Sequence, residues 1–335
     1  MGDRDLSSDT KLPRFGVGCV KLGSIATRDA GRAATRLIHA AVDAGVTFFD
    51  TADAYGAGTS ERILGKALAS RRRNVVIATK AGYLFRERSQ LEHVVRQAAA
   101  PVLGSLRSWV RPPSAPTADT GSSRGYAAQD FSAAHLRRAV DDSLRRLATD
   151  YIDLLQLHGP ATVCTDETFE VAEELIRVGK IREFGVGLEH VDHAEPWLGR
   201  RQLTRLQLPF GVLDPEARER VFPLAERSGV SLIVRGIFGS GLFNVEAVGG
   251  FGPNEAKVRF VTQLRTLANS VGVDVHQLAV WWTLAQPAAR TILVGVNSLD
   301  HLMSTLRCFE TPLPDDSVVA AIDGLITSRD SCGPQ

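Results

Sequence analysis

Cysteine is scarce in this 335-residue chain: four residues, Cys19, Cys164, Cys308 and Cys332, far apart. None forms a C-x-x-C pair, so no zinc knuckle or dithiol redox motif is readable, and scattered thiols in a chain this long fit a reducing compartment. Net charge is nearly absent. Lys and Arg total 39 against 38 Asp and Glu, leaving +1, which argues against bulk binding to nucleic acid or anionic membrane but permits a local phosphate pocket. Long apolar runs are missing too: none approaches the ~18 residues of a membrane span. The segment Met1-Gly2-Asp3-Arg4-Asp5-Leu6 has no apolar h-region and does not read as a signal peptide. The expectation is a soluble cytoplasmic protein, monomeric or a small homo-oligomer, with no nucleic-acid or membrane partner. Histidines lack ligand spacing, and His190 and His193 without nearby acids are a weak metal signal; no metal is expected.

Eight short runs rich in β-branched and aromatic residues do recur: Phe15–Val20, Val46–Asp50, Val75–Lys80, Ile152–His158, Glu183–Val186, Arg205–Pro209, Leu232–Gly236 and Ile292–Val296. Most are continuously apolar, as parallel strands buried on both faces must be. Helical periodicity lies between them, in Arg28–Ala44, Ser60–Ser70, the segment opened by Ser132, Asp166–Val178, Pro215–Ser228, Lys257–Ser270, His276–Ala285 and Leu299–Leu306. Eight strands alternating with about eight helices predict an α/β fold, a (β/α)8 TIM barrel, with residues 1–335 as one domain. One long insertion after the third strand, residues 84–130, breaks the rhythm. Its Pro/Ser/Thr/Gly-rich half, Arg111–Arg124, reads as irregular, so the insertion is either a lid over the barrel mouth or a solvated excursion without a role. Trp281-Trp282, in a helical run with Leu278 and Leu284, reads as core packing.

In such barrels, polar residues at the C-terminal ends of strands carry the chemistry. Asp50, Lys80 and His158 each end an apolar strand, and Tyr55 lies just beyond one. Singly, each has a structural reading: a turn cap, a solvated amine, a satisfied core histidine. Jointly they make a proton-transfer set. A free tyrosine, with a pKa near 10, is a poor proton donor at neutral pH. An adjacent ammonium lowers that value, and Asp50 could hold Lys80 charged.

Gly45–Leu68, GVTFFDTADAYGAGTSERILGKAL, resembles the first signature of the aldo-keto reductases. Ile77–Gly82 resembles the family's catalytic-lysine strand, Ser143–Pro160 (SLRRLATDYIDLLQLHGP) its catalytic-histidine strand with the preceding helix, and Val178–Val186 the next helix end and strand. The resemblance implies a (β/α)8 barrel binding NADP(H), the favoured cofactor, or NAD(H), without a Rossmann domain. Consistently, no G-x-G-x-x-G opens a helix after a strand. By resemblance Tyr55 is the general acid/base, Lys80 lowers its pKa, Asp50 supports Lys80 and His158 orients the substrate carbonyl. Gln207 matches the residue that binds the nicotinamide carboxamide. Ser240, Gly241 and Leu242 match the loop over the pyrophosphate, and Gly295, Asn297 and Ser298 the last-strand loop near the adenosine phosphate. Gly18 and Cys19 border the cofactor on the same reading, although Cys19 reads better as a small buried hydrophobe.

Three departures are visible. Gly187-Leu188 replaces a Ser-Asn pair that touches the nicotinamide amide, removing one or two hydrogen bonds worth on the order of 1–3 kcal/mol, which Glu189 or His190 could replace. Arg235 stands where many members stack a tyrosine. Val296 and Thr305 stand where many carry an arginine for the 2′-phosphate and an asparagine near the adenine. The resemblance implies an NAD(P)H-dependent reductase of an aldehyde, ketone or sugar carbonyl. The alternatives are an aldose or alcohol dehydrogenase working oxidatively and a non-catalytic nucleotide-sensing subunit.

Overall fold

A computed structural model describes residues 12–22, 30–85, 128–244 and 255–331. Eight parallel strands close into a barrel in sequential order: β1 (Phe15–Gly18), β2 (Phe48–Asp50), β3 (Val76–Ala81), β4 (Ile152–His158), β5 (Ile181–Gly187), β6 (Arg205–Pro209), β7 (Ser231–Arg235) and β8 (Thr291–Gly295). All eight expected strands are present, two of them with the expected bounds. β8 closes on β1 through four register pairs, from Phe15 opposite Ile292 to Gly18 opposite Gly295.

Helices surround the strands: α1 (Ala30–Asp43), α2 (Thr59–Leu68), α3 (Ala133–Leu147), α4 (Asp166–Arg177), α5 (Ala217–Arg220), α6 (Phe222–Arg227), α7 (Glu255–Ser270), α8 (Val275–Leu284), α9 (Leu299–Glu310) and α10 (Asp316–Ser331). The expected helix over Pro215–Ser228 is two short ones, because Pro223 supplies no amide to continue the first. Helix α10 has no counterpart in the sequence reading. Gly45, at φ +86°, ends α1 as expected, in a conformation that costs glycine little. Gly65 lets α2 lie on α3: a Cβ there would sit 2.4 Å from the Leu147 carbonyl oxygen.

Between strands and helices runs one large apolar layer, which includes Trp282, and a small cluster of Phe48, Ala78, Leu154, Ile233 and Leu293 fills the barrel interior. Gly16 makes room for that plug, since a Cβ would meet the Phe48 ring at 2.4 Å. The bulk of the insertion, residues 86–127, lies outside the described residues. Its two ends meet: the Leu84 amide donates to the Ala128 carbonyl and that of Asp130 to Gly82. Among the described residues no helix is long and apolar enough to cross a membrane.

Candidate active site

The strand ends gather the four expected residues at one mouth. Asp50 closes β2, Lys80 is the penultimate residue of β3 and His158 closes β4; all three side chains are buried. Lys80 Nζ donates to Asp50 Oδ2 at 2.5 Å and to the Thr51 carbonyl at 3.0 Å. The other Asp50 oxygen accepts from Gln156 Nε2 (3.0 Å) and Gln207 Nε2 (3.1 Å). Three side-chain donors fix the direction of the carboxylate. Burial alone would favour a neutral Lys80 amine, but the facing Asp50 carboxylate outweighs it and raises the Lys80 pKa above its ordinary value.

Tyr55 is reached by a turn leaving β2. Lys80 Nζ lies 5.4 Å from its ring centroid, and the His158 ring meets it edge-on at 5.6 Å. Burial raises the Tyr55 hydroxyl above its usual range; Lys80 pulls it down, as expected from the sequence, but does not overcome burial. The resting tyrosine is therefore protonated across the neutral range. His158 is pushed well below its ordinary value, first by burial and then by Lys80 and Arg235, so its imidazole is neutral. Its Nδ1 is buried without a partner.

A cleft of about 1030 Å³ runs from these residues along the ends of β1, β7 and β8 to the start of α8 and along α9. Of the residues expected to meet a cofactor, Gly18, Cys19, Gly187, Gln207, Arg235, Gly241, Gly295 and Asn297 line it. Leu242 and Ser298 are not among its lining residues, and the Ser240 side chain lies outside the described residues. Leu242 packs against the core, and the Ser298 hydroxyl caps α9 by accepting from the His301 amide at 3.1 Å. Val296 is buried and faces the core, whereas exposed Asn297 faces the cleft. Cys19 combines both readings: fully buried, it also lines the cleft, and burial pushes its thiol far up, leaving it inert.

The cleft fits a dinucleotide. Its volume matches ligand pockets, and its floor is stripped of side chains where Gly18 and Gly295 lie side by side. At Gly187, a Cβ would sit 3.2 Å from Gln207 Oε1 and 3.4 Å from Lys80 Cε, so glycine leaves a recess above the ion pair. Arg235 is not free. Its Nη2 donates to the Leu188 carbonyl (2.8 Å) and to Glu189 Oε2 (3.2 Å), closing the side left by the Gly187-Leu188 departure. Glu189 lines the cleft; His190 is not among its lining residues.

Sequence reasoning missed three residues. Gln156 points inward from β4 two positions before His158, and the strand period of two puts both on one face. Tyr83, just past β3, meets the His158 ring edge-on at 4.7 Å. Gln129, at the far end of the insertion, donates to the carbonyl oxygens of His158 (2.8 Å) and Gly159 (3.1 Å); nothing local in its sequence marks it. His190 and His193 bring their rings within 5.6 Å, yet no cluster of metal-ligating residues occurs among the described residues.

The family model for the Aldo/keto reductase family matches residues 14–327. The oxidoreductase YqkF of Bacillus subtilis is 28% identical over 311 residues, covering 90% of this chain and 88% of that protein. The aldo-keto reductase YhdN of the same organism is 31% identical over 285 residues, 79% of this chain and 75% of that one. A holo-form aldo-keto reductase from Bacillus halodurans superposes with a TM-score of 0.74 at 28% identity, covering 96% and 95% of the two chains. With the strand-end residues, the Rossmann-free cleft and this match along nearly its whole length, the chain belongs to the Aldo/keto reductase family and is an NAD(P)H-dependent oxidoreductase.

Proposed function

We propose that the protein reduces a carbonyl compound (an aldehyde, ketone or sugar) to an alcohol, with Tyr55 as the general acid. The observation that carries this reading is the geometry at the mouth: the Tyr55 ring lies 5.4 Å from the Lys80 ammonium, itself paired with buried Asp50, and 5.6 Å from the His158 ring. His158 donates its single N–H to the substrate carbonyl oxygen and aims it. Tyr55 transfers its proton to that oxygen as negative charge develops there. Lys80 stabilises the phenolate left behind, and Asp50, held by Gln156 and Gln207, keeps Lys80 charged and in place. A bound reduced nicotinamide supplies the hydride in this direction, and its oxidised form accepts one in the reverse.

Gly18, Gly187, Gln207, Arg235, Gly241, Gly295 and Asn297 are the cleft residues that would hold the cofactor, with Leu242 and Ser298 supporting its loops from outside the lining. NADP(H) is the favoured form, because Lys21 and Arg307 at the outer cleft offer cations for a 2′-phosphate. Reduction uses the protonated Tyr55 phenol and oxidation its phenolate, which burial opposes.

Tyr55→Phe tests the reading. General acid catalysis is worth about 10²–10⁴-fold, so steady-state kcat should fall by at least 10²-fold while the NADPH dissociation constant, from fluorescence titration, stays within about twofold. Surviving turnover would remove Tyr55 as the acid. A wild-type protein that binds NADPH yet reduces nothing across an aldehyde, ketone and sugar panel would point to the nucleotide-sensing alternative.

A further inference from the structure

Beneath the Tyr55 turn lies a buried charge cluster that the reaction does not use. Asp53, Glu61 and Arg146 are 1%, 0% and 6% exposed. Arg146 Nε, from α3, donates to Glu61 Oε2 at 2.6 Å, and its Nη2 to Ser143 Oγ at 3.1 Å. Thr79 Oγ1, next to Lys80 on β3, donates to Glu61 Oε1 at 2.5 Å. The Asp53 amide donates to the Lys80 carbonyl at 3.1 Å, and Asp53 Oδ1 is buried without a partner. One guanidinium thus faces two carboxyls.

The turn itself is unusual. Three consecutive residues after Tyr55, Gly56, Ala57 and Gly58, have φ of +61°, +53° and +85°. A left-handed alanine is strained and persists only when its surroundings over-determine it. Arg146 runs directly beneath: a Cβ on Gly58 would sit 2.7 Å from its Cδ. Glu61 lies in the first turn of α2, just past the turn, and the Ser60 amide donates back to the Tyr55 carbonyl at 3.2 Å.

We propose that Arg146, Glu61 and Asp53 are positioning residues that clamp the left-handed turn bearing Tyr55 against the β3 strand bearing Lys80, and so set the turnover rate without touching substrate or cofactor. The inference rests on Tyr55 being the acid. Glu61 takes both the guanidinium and the Thr79 hydroxyl and so joins α3 to β3. Asp53, raised far above the usual carboxylate range by burial and by Glu61, is neutral.

Glu61→Gln tests this. A small misplacement of a reacting group can cost about 10²-fold, so kcat should fall ten- to hundredfold while the NADPH dissociation constant stays within about twofold. Tyr55 ionisation should change with it. Read by ultraviolet difference titration against Tyr55→Phe, its midpoint should fall in the variant, because burial is the largest influence on it and a loosened turn admits water. An unchanged kcat and midpoint would overturn the proposal. If Glu61→Gln does not fold, the double variant Glu61→Leu/Arg146→Leu replaces the ion pair with apolar groups, which such sites often tolerate. A folded double variant with an unchanged Tyr55 midpoint overturns the clamp, and one with a lowered midpoint supports it. The titration needs no turnover, so a wild-type protein inactive on every carbonyl would refute the reductase reading and leave the clamp to be judged separately.

Discussion

The two ends of the cleft are built differently. At the reaction end, Asp50, Lys80, Gln156, His158 and Gln207 are all buried on consecutive or neighbouring strands, and Asp50 alone collects three side-chain donors. At the outer end, Gly295, Asn297, Ser298 and Asp300 are exposed, and the His301 ring reaches only Asn297 Oδ1, at 3.2 Å. Burial makes the first end demanding: an ionisable group there is tolerable only with its partners, so each residue constrains the next. Solvent makes the second permissive, because water satisfies whatever polar group stands there. Changes at the first end should cost both stability and rate; changes at the second should affect affinity alone.

The largest effect should come from Lys80→Met. It leaves Asp50 as a buried charge without its ammonium, a change that typically costs about 3–5 kcal/mol, and removes the cation that stabilises the Tyr55 phenolate. The urea midpoint should fall clearly, and kcat by at least about 10²-fold. Asp50→Asn/Lys80→Met, which removes both charges, should recover most of the stability and none of the rate. If the single variant is as stable as wild type, the reaction end is wetter than its burial indicates and the contrast between the two ends fails.

That contrast also explains what was legible in the sequence. The strands could be read because burial on both faces forces continuous apolar runs, and a charged residue closing such a run is conspicuous; Asp50, Lys80 and His158 stand out for that reason. Gln156 did not, because an inward-facing amide within β4 looks like any polar interruption. Helix α10 was missed because it follows α9, the helix that completes the last strand–helix pair, where alternation gives no further cue. At the outer end, the reading put Val296 where an arginine would face a phosphate, but β8 turns Val296 into the core and presents Asn297 instead. A one-residue shift reverses which side chain faces a cleft, and no hydrophobic pattern marks the shift where the flanking residues are solvated. Gln129 joins the site only because the two ends of the insertion meet, a contact without a local signature.

A smaller effect, read by pH, lies at His158. His158 is held neutral in the fold, with its pKa far below the ordinary value of 6.5. As pH falls below 6.5, the unfolded chain takes up a proton at this position and the folded one does not. Stability is therefore fully present above that value and declines as pH falls towards the folded pKa. His158→Gln should flatten the decline in the denaturation midpoint between about pH 7 and 5. Equal slopes in the variant and wild type would mean His158 is not buried neutral. In catalysis the sign is set by Tyr55: because its hydroxyl is raised, the reductive rate should hold through neutral pH and fall only at alkaline pH, and any oxidative rate should rise there.

The smallest change lies at the boundary between the two ends. Gly187→Ser adds a hydroxymethyl group to the recess above the ion pair, at the position where the resemblance expects a serine to bind the nicotinamide amide. The new Cβ would sit 3.2 Å from Gln207 Oε1 and 3.4 Å from Lys80 Cε, so the Gln207 amide must yield by a few tenths of an ångström. Gln207 can do so: its Nε2 holds Asp50 at 3.1 Å, and Asp50 retains Lys80 and Gln156 if that contact lengthens. One added hydrogen bond is worth about 1 kcal/mol, so the NADPH dissociation constant should tighten by roughly fivefold with kcat nearly unchanged. A loss of kcat instead would show that Gln207 cannot move without disturbing Asp50 and Lys80. The buried network would then extend one residue further towards the cofactor than the exposure of the cleft implies, and glycine at 187 would serve the catalytic ion pair.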